Sequence, residues 1–484
     1  MAREPITLVT AGGGGLSSLL TDHPLPDGDV LLQTMDSGVT VGQARAAAAR
    51  TAEQLRAHGV RDRDAVVVRL PNAPEFVSTM FGVWLAGAVF VPANPRQPEA
   101  ELDRVVGATA PGAVVDIEGV HDLGAARTRY EPDVAFVTWT SGTTGPPRPV
   151  LQTHSGYLEL LDRVLGPLRG RAADQRRPPS PNLVPVSLAL NAGIYNVLFG
   201  LRAGATLVLM DGFSTAEFAT LVGRFSIRST VLPPAAMVML ADDDEVTDLA
   251  PLRYVRSITA PLSPLTARRF SDKFGVTVLN GYGQAEIGEV IGWTAADARE
   301  HPDKIGAVGR PHPGVAIKVV DGAGSTLTDG AVGELFVKPP RMASGYADGG
   351  SLEERLDDEG YVRTGDYARV DVDGFVWLEG RVGDVINRGG NKVFPEQVEE
   401  VLRLSPGVRD AVVVGVPDER LGEVPVAFIV GSAPDDELER LCRDHLVAYK
   451  IPVAFPRIDA LPRNEVGKLL RRELGARWPG PDEA

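Results

Sequence analysis

The chain has 484 residues, of which 49 are lysine or arginine and 64 are aspartate or glutamate, so its formal net charge is −15. This length predicts two or more domains, and the acidic balance argues against a nucleic-acid partner or an anionic membrane surface. The single cysteine, Cys442, excludes an internal disulfide and a thiolate zinc cluster. Because the chain lacks a signal-peptide pattern and an unbroken apolar run of membrane-spanning length, we expect a cytoplasmic protein without membrane insertion.

The first part of the chain predicts alternating strands and helices. Residues 40–43 have the pattern of a capping box, which opens an alanine-rich helix that ends at Gly59. A strand at 65–70, a helix at 74–85 and a strand at 89–91 form a unit whose strands we expect to pair in parallel. The alternation then continues with strands at 206–210, 229–232, 254–260 and 276–279 and helices at 215–225 and 265–274.

The pattern changes twice in the rest of the chain. From about residue 305 to 378, short strands and glycine turns without a long helix predict a β-rich subdomain. After residue 384 the sequence predicts a compact α+β unit. Its helices are expected at 395–404 and 436–446, and its strands at 412–414 and 426–429.

These patterns together predict an α/β fold with two domains. The large N-terminal domain, residues 1–380, is expected to contain mixed and parallel sheets flanked by helices, together with the β-rich subdomain. Residues 381–384 are expected to form a hinge. A small α+β C-terminal domain is expected to occupy residues 385–484.

One polar segment follows the apolar strand expected at residues 134–137. Residues 138–149 read TWTSGTTGPPRP, with a cation near the end. Glycines let backbone N–H groups surround a phosphate, hydroxyls donate to phosphate oxygens or bind Mg²⁺, and a cation offsets anionic charge. The segment is not a Walker loop, because the Gly-Lys-Ser/Thr ending is missing. Taken alone, it is also compatible with a polar turn between two strands.

The segment resembles the phosphate-loop signature of the ANL superfamily of adenylate-forming enzymes, which includes acyl-CoA synthetases, adenylation domains and luciferases. Further segments resemble the other signatures of that superfamily, in its order and at its spacing: 259–261 (TAP), 280–286 (NGYGQAE), 361–366 (YVRTGD), 380–384 (GRVGD), 389–392 (GGNK), 395–399 (PEQVE) and 461–472 (LPRNEVGKLLRR). The resemblance therefore covers most of the chain, and coincidence does not explain it.

The resemblance implies an ATP site built from several of these segments. Tyr282 would stack on adenine, Asp366 would accept both ribose hydroxyls, and Arg381 would reach the ribose or a phosphate. A carboxylate suits a vicinal diol because it offers paired acceptors. The residues expected around the β- and γ-phosphates are Thr140, Ser141, Gly142, Thr143, Thr144, Gly145 and Arg148. Those expected around adenine are Thr259, Ala260, Pro261, Gly281 and Gly283.

The resemblance also implies the catalytic groups, the metal and the second cofactor. Glu286 would hold Mg²⁺ together with Thr140, because a hard cation needs oxygen ligands. Lys468, in the C-terminal signature, would be the catalytic cation, and Asp384 would be the hinge of a mobile C-terminal domain. The remaining segment, Gly389 and Gly390, would line the pantetheine tunnel for CoA, although a plain β-turn explains these glycines almost as well.

Several positions depart from the superfamily pattern. Arg148 stands where the superfamily has lysine, and Pro149 stands where it has glycine, which removes an N–H donor. Ala285 replaces the usual threonine, and the paired glycines usual before Ala260 are absent. We expect Arg148 and Pro149 to weaken the hold on pyrophosphate rather than to abolish activity, and Ala285 to remove one hydroxyl near the α-phosphate.

The acid site is expected along residues 185–193. Leu188 stands where many CoA ligases have histidine, and no aspartate is present to pair a substrate ammonium, which would be costly to bury alone. Small residues with the amides of Asn191 and Asn196 predict an apolar wall and a hydrophobic, non-amino acid, acyl or aryl. The expected acid-contacting residues are Ser187, Leu188, Asn191, Ala192, Gly193, Asn280, Ile287 and Gly288.

The resemblance implies a two-step reaction. A small-molecule carboxylic acid would react with ATP to give acyl-AMP and pyrophosphate, and the thiol of CoA would then take the acyl group. Two alternatives stay open: an enzyme that loads the phosphopantetheine of a separate carrier protein, and a catalytically weak homologue that acts as a binding or regulatory protein. The sequence also leaves open whether the protein is a homodimer.

Overall fold

The computed structural model of the chain describes residues 15–124, 127–140, 147–169, 179–462, 469–476 and 478. The α-helices are α1 (Ser18–Thr21), α2 (Val41–Ala57), α3 (Pro74–Leu85), α4 (Glu99–Thr109), α5 (His154–Arg169), α6 (Asn191–Arg202), α7 (Thr215–Arg224), α8 (Pro234–Asp242), α9 (Pro264–Phe274), α10 (Ala295–Glu300), α11 (Pro395–Leu402), α12 (Asp435–His445) and α13 (Arg471–Ala476).

The β-strands are β1 (Val30–Gln33), β2 (Gly38–Thr40), β3 (Ala65–Val68), β4 (Val89–Pro92), β5 (Ala113–Asp116), β6 (Gly119–Asp122), β7 (Val134–Trp139), β8 (Pro149–Thr153), β9 (Asn182–Val184), β10 (Leu207–Leu209), β11 (Ser229–Val231), β12 (Tyr254–Ser257), β13 (Thr277–Gln284), β14 (Gly288–Gly292), β15 (Arg310–Pro311), β16 (Ala316–Val320), β17 (Thr326–Leu327), β18 (Gly333–Lys338), β19 (Val362–Val370), β20 (Val376–Arg381), β21 (Ile386–Arg388), β22 (Asn391–Val393), β23 (Val408–Asp418) and β24 (Gly422–Gly431).

One sheet of the N-terminal part has the strand order β6-β5-β3-β4-β7-β8. Strand β3, whose residues are all buried, pairs in parallel with β4, which confirms the predicted strand–helix–strand unit. Helix α2 begins with the predicted capping box, in which Thr40 and Gln43 each accept a hydrogen bond from the other's backbone N–H. The antiparallel pair of β7 and β8 flanks the predicted phosphate loop.

A second, larger sheet has the order β15-β14-β13-β12-β11-β9-β10-β1-β2 and positions several site segments. Strands β10, β9, β11, β12 and β13 pair in parallel, so their carboxyl ends lie along one edge, where open α/β sheets bind ligands. Residues 259–261 follow β12 at this edge. Strand β14 turns back antiparallel to β13, which sets Glu289 opposite Gly283.

The β-rich subdomain predicted after residue 305 is an antiparallel sheet with the order β17-β16-β18-β19-β20. Strands β19 and β20 place Asp366 directly opposite Arg381. These two residues come from separate superfamily signatures, and the register of one strand pair brings them together.

The C-terminal part is an α+β unit, as predicted. Its antiparallel sheet has the order β22-β21-β24-β23 and packs against α11 and α12 through buried residues that include Val398, Leu402, Ala427 and Leu438. The predicted fold class is therefore confirmed, while the hinge at residues 381–384 stays a prediction. Within the described chain, no helix combines the length and the hydrophobicity that crossing a membrane requires.

Candidate active site

The phosphate loop is described only at its two ends. Thr140 N–H donates to the Arg148 carbonyl at 2.9 Å, and Arg148 N–H donates to Thr140 Oγ1 at 2.8 Å, so the two ends are joined. The Arg148 guanidinium lies 3.5 Å from the centroid of the Tyr346 ring and pairs with Asp348 at 3.4 Å. Lys468 lies outside the described residues. So do Ser141, Gly142, Thr143, Thr144 and Gly145.

Glu286 lies at the hydroxyl of Tyr346, whose ring face contacts Arg148. The residue is 7% exposed, and its Oε1 accepts from the Tyr346 hydroxyl at 3.0 Å and from Arg355 Nη1 at 2.7 Å. Arg355 also donates to Gln284 Oε1 at 2.8 Å. One aromatic ring thus links the cation of the phosphate loop to the predicted metal ligand.

The donor set at Glu286 fits a magnesium ion held mainly by phosphate oxygens. Its second oxygen, Oε2, has no hydrogen-bond partner among the described residues. The described part of the chain holds no group of three or more histidine, cysteine, aspartate or glutamate side chains that could form a metal cage. Mg²⁺ typically uses one or two carboxylates together with substrate phosphates, so Glu286 is sufficient for this kind of site.

Tyr282 and Asp366, from two separate signatures, are in direct contact. The Tyr282 hydroxyl donates to Asp366 Oδ2 at 2.5 Å, and Gln284 Nε2 donates to the same oxygen at 3.1 Å. Arg381 Nε pairs with Asp366 Oδ1 at 2.7 Å. Burial and the charge of Asp366 raise the pKa of Tyr282 well above its usual value, so the phenol stays a donor. The carboxylate has about four lone-pair directions, which leaves capacity for a diol.

The two segments predicted beside adenine differ in their backbones. Thr259, Ala260 and Pro261 are exposed beyond the end of β12, and Thr259 has φ 82°, a left-handed conformation that is strained for a β-branched residue. On β13, Gly281 is half-buried and Gly283 is exposed. A Cβ at Gly283 would overlap the carbonyl of Gly288, so glycine is required there by the close approach of β14.

The predicted acid residues before and within α6 divide between half-buried positions and the core. Ser187 and Asn191 are half-buried, and Asn191 Oδ1 accepts from the Tyr157 hydroxyl at 3.0 Å. Leu188 is 1% exposed and packs in the core. Ala192 and Gly193 are buried as well.

The structure corrects one expected feature of the acid wall. Asn196 is fully buried, its Oδ1 accepts from Asn182 at 2.8 Å and its Nδ2 donates to the Leu183 carbonyl at 3.2 Å. Its amide therefore joins α6 to β9 instead of facing the acid. Helical spacing alone did not reveal the partner, because Asn182 comes from a different element.

The remaining acid candidates lie on or beside β13 and β14. Asn280 and Ile287 are buried, and Gly288 has φ 65° with its α-carbon facing Leu160. A cavity of about 280 Å³ lies beside Asn280 and is also lined by Trp293. Asn280, Ile287 and Gly288 adjoin the nucleotide candidates at 281–286 along the chain, whereas Leu188 belongs to the core.

The predicted CoA and hinge residues lie in the C-terminal part. Gly389 and Gly390 form a two-residue turn between β21 and β22, with φ 55° and 86°, and both are exposed. Asp384 ends a short 3-10 helix, and its Oδ2 is 3.8 Å from Arg471 Nε. The positive φ values require glycine for the turn itself, so they do not distinguish a tunnel wall from an ordinary hairpin.

Sequence reasoning missed several residues that the structure places at the site. Tyr346 and Arg355 contact Glu286 from 60 and 69 residues away, without a local pattern that predicts the contact. Glu289 is buried three residues after Glu286 and contacts Arg256. A charged residue inside the otherwise apolar strand β14 was the one available signal for this buried pair.

Comparison with known proteins identifies relatives over nearly the whole chain. The sequence model of the AMP-binding enzyme family matches residues 25–131 and 122–347, and that of the AMP-binding enzyme C-terminal domain matches residues 397–468. 4-Coumarate–CoA ligase 3 of Oryza sativa subsp. japonica is 31% identical, with 90% of this chain and 87% of the relative covered. The fatty acid–[acyl-carrier-protein] ligase ScoC of Streptomyces coeruleorubidus is 29% identical, with 89% and 90% covered.

A solved structure gives the same result for the fold. The o-succinylbenzoate CoA synthetase MenE of Bacillus subtilis, in complex with its acyl-adenylate intermediate, superposes with a TM-score of 0.83. The two chains are 26% identical, and the match covers 94% of this chain and 97% of the MenE chain.

Proposed function

Because the chain belongs to the AMP-binding enzyme family, we propose that it activates a hydrophobic, non-amino carboxylic acid with ATP and transfers the acyl group to CoA. The carboxylate oxygen attacks the α-phosphorus of ATP, and the bond to the β-phosphate breaks, giving acyl-AMP and pyrophosphate. The thiol of CoA then loses its proton and attacks the acyl carbon, and AMP leaves. The acid, acyl or aryl, is already ionised at pH 7, so the first step needs no general base.

The contact between Tyr282 and Asp366 is the observation that carries this proposal. A buried carboxylate beside an aromatic ring offers a nucleoside a stacking face for its base and two acceptors for its diol. Gln284 donates to the same carboxylate oxygen as Tyr282, and Arg381 pairs with the other oxygen.

The first step brings an anion to a polyanion, so its barrier is largely electrostatic. Glu286 would hold Mg²⁺ through Oε2, which has no partner among the described residues, and the ion would offset the charge of the phosphates. Arg148 supplies a cation at the end of the phosphate loop, and Lys468 supplies the cation at the reacting phosphorus. Thr140 keeps its hydroxyl at the base of the loop, as a second oxygen for the metal site.

The second step requires the thiol to reach the acyl carbon. The C-terminal part rotates at Asp384, which removes Lys468 and brings the turn of Gly389 and Gly390 to the acyl-AMP. Because neither glycine has a side chain, the pantetheine arm can pass close to the backbone of the turn. The exposure of both glycines supports this role.

A carrier protein is the second candidate acceptor. The similarity to ScoC, a fatty acid–[acyl-carrier-protein] ligase, favours it, and the adenylation chemistry is the same. Comparing free CoA with a phosphopantetheinylated carrier protein, at equal concentrations of acyl-AMP, distinguishes the two acceptors. If the thioester forms faster on the carrier than on CoA, a carrier protein is the acceptor instead of CoA.

ATP–pyrophosphate exchange with a panel of aryl, medium-chain and polycyclic acids tests the proposed function. We expect exchange with at least one acid and none with amino acids. Silence with every acid would contradict the proposal and favour a binding or regulatory role. The same assay locates the reactive acid class, because each acid is tested separately.

Lys468→Ala tests the catalytic cation. We expect exchange to fall by at least about 10²-fold, because a preorganised charge at the reacting phosphate is lost. Thioester formation from supplied acyl-AMP should persist, since the lysine acts only in the first step. Lys338→Ala is the matched control, because Lys338 lies on the surface and donates to the Glu359 carbonyl. Near-normal exchange by Lys468→Ala would remove Lys468 from the mechanism.

A further inference from the structure

A buried group of four side chains has no role in the two steps above. We propose that this group, Glu289, Arg256, His312 and Tyr195 (the Glu289 cluster), forms the far end of the acid site. We propose that it selects acids carrying a neutral oxygen substituent, such as a hydroxyl or a ketone, over plain hydrocarbon acids. The inference rests on the proposed function and names the class of acid for that same site.

The contacts of the Glu289 cluster converge on a single carboxylate. Arg256 pairs with Glu289 Oε1 through Nη2, and its Nε donates to the same oxygen at 3.1 Å. His312 Nε2 contacts that oxygen at 3.1 Å, and the Tyr195 hydroxyl donates to Oε2 at 3.1 Å. All four side chains are buried. The cluster is therefore a polar surface fixed in the protein interior, where the buried Arg163 also donates to the Glu289 carbonyl at 3.1 Å.

The Glu289 cluster belongs to the segments that carry the expected acid residues. Tyr195 lies one turn after Asn191 on α6, and Glu289 follows Gly288 on β14. Arg256 is on β12, which leads into the segment at 259–261. Two elements with expected acid residues, α6 and β14, thus meet at this carboxylate with β12, which leads to an expected adenine segment.

Two glycines lie against the cluster, so backbone rather than side chain covers it there. Gly281 is half-buried, and a Cβ placed on it would lie 3.1 Å from Glu289 Oε1. A Cβ on Gly292 would lie 2.9 Å from Arg256 Nη2. Arg256 Nη1 has no hydrogen-bond partner among the described residues, so one strong donor is available to a ligand.

The charge of the cluster decides which substituent fits. Arg256 and Glu289 neutralise each other, so a second carboxylate or an ammonium would be buried without a counter-ion of its own. The buried phenol of Tyr195 has a pKa raised well above its usual value and stays a donor to Glu289. A neutral oxygen can accept from the free Arg256 N–H without disturbing the pair. Plain hydrocarbon would leave that donor unsatisfied.

Matched acids test the inference in the exchange assay. The first set is cinnamate, 4-methylcinnamate and 4-hydroxycinnamate, in which methyl and hydroxyl have similar size. The second is decanoate and 10-hydroxydecanoate. We expect the wild-type kcat/KM to favour the hydroxylated member of at least one set by about tenfold, as one hydrogen bond to a charged group provides.

Two variants connect that preference to the cluster. Both act on the position of the Arg256 donor: Glu289→Gln removes the ion pair that holds Arg256 in place, and Tyr195→Phe removes the hydroxyl that holds Glu289, with little change in volume. In both variants, kcat/KM for the hydroxylated acid should approach that for its plain counterpart. The exchange rate with the better plain acid should change less. Tyr130→Phe is the control, because the Tyr130 hydroxyl is also buried but donates to the Thr109 carbonyl far from the site. Tyr195→Phe keeps the test valid if Glu289→Gln does not fold.

The outcomes separate this inference from the proposed function. Exchange without a preference for the hydroxylated acids, or a preference unchanged in both variants, overturns the inference and leaves the proposed function standing. Silence with every acid overturns the proposed function and the inference with it. A preference that is lost in Glu289→Gln or Tyr195→Phe, but kept in Tyr130→Phe, supports the inference.

Discussion

Two glutamates, Glu289 in the N-terminal part and Glu396 at the start of α11, have acid strengths shifted in opposite directions. Burial alone would raise the pKa of Glu289, but Arg256 and His312 lower it to about 2. Burial raises the pKa of Glu396 to about 7, and Arg471 only partly opposes this shift. Loss of water is common to both carboxylates, so the difference must come from their partners.

The two carboxylates differ in how many donors each has to itself. Both oxygens of Glu289 are bonded, and Arg256 forms ion pairs with no other carboxylate among the described residues. Glu396 shares Arg471 with Glu399 and Asp384, and its Oε2 is buried without a partner. One cation divided among three carboxylates does not compensate for burial. The number of donors for each carboxylate therefore decides the sign of the shift.

Removing Arg256 should have the largest effect, because Glu289 would then be buried without its cation. We expect Arg256→Gln to lower the free energy of unfolding at pH 7 by about 3–5 kcal/mol. In the wild type, the low pKa of Glu289 gives stability that is present above pH 4.5 and lost as the pH falls toward 2. In the variant the pKa of Glu289 should rise, as it does for Glu396. The free energy of unfolding lost on substitution should therefore be smaller at pH 5 than at pH 7.

Denaturant unfolding at pH 5 and pH 7 measures this difference. Arg443→Gln is the control, since Arg443 and Glu439 form an exposed pair on α12, and its loss should stay below about 1 kcal/mol. An equal loss for Arg256→Gln at both pH values would mean that the cation does not set the pKa of Glu289. The number of donors would then not explain why the two glutamates have opposite pKa shifts.

Glu396→Gln should have a smaller effect and the opposite sign. A folded-state pKa raised to about 7 gives stability that is complete below pH 4.5 and is lost as the pH rises through 7. The glutamine variant should therefore match the wild type near pH 4.5 and exceed it by about 1–2 kcal/mol at pH 8. The gain is limited because 29% of the Glu396 side chain is exposed.

The pH dependence of the unfolding midpoint checks this prediction. The wild-type midpoint should fall between pH 5 and pH 8, and that fall should flatten in Glu396→Gln. Glu245→Gln, an exposed substitution, should leave the fall unchanged. Identical profiles for Glu396→Gln and the wild type would show that Glu396 is ionised throughout, like Glu289.

The bounds of helices and strands were predictable where a local pattern marks both ends. Helix α3 was predicted with both bounds correct, because Pro74 marks its first position and the apolar run ends at Leu85. Strand β13 was predicted to end at Leu279 but extends to Gln284. From the sequence, its glycines predict a turn. In the structure they continue the strand and let β14 approach closely.

Two carboxylates of the candidate site came from the resemblance alone. The structure buries both Glu286, which accepts from Tyr346, and Asp366, which accepts from Tyr282, while their roles toward a metal and a diol stay predictions. The partners themselves were not predictable, since Arg355 reaches Glu286 from another element. The Glu289 cluster was missed for the same reason. Single-sequence periodicity does not report contacts between distant elements.

The smallest expected effect concerns the backbone beside each glutamate. Near Glu396, the residue with a positive φ is a glycine, Gly380. Near Arg256, the partner of Glu289, it is Thr259, which follows β12 and has φ 82°. Thr259→Gly should relieve that strain and raise the free energy of unfolding by up to about 1 kcal/mol, although glycine also gains freedom in the unfolded chain. The control Thr328→Gly, at an exposed position without a positive φ, should lose about 0.5–1 kcal/mol. Equal losses in both variants would show that the Thr259 backbone stores no strain.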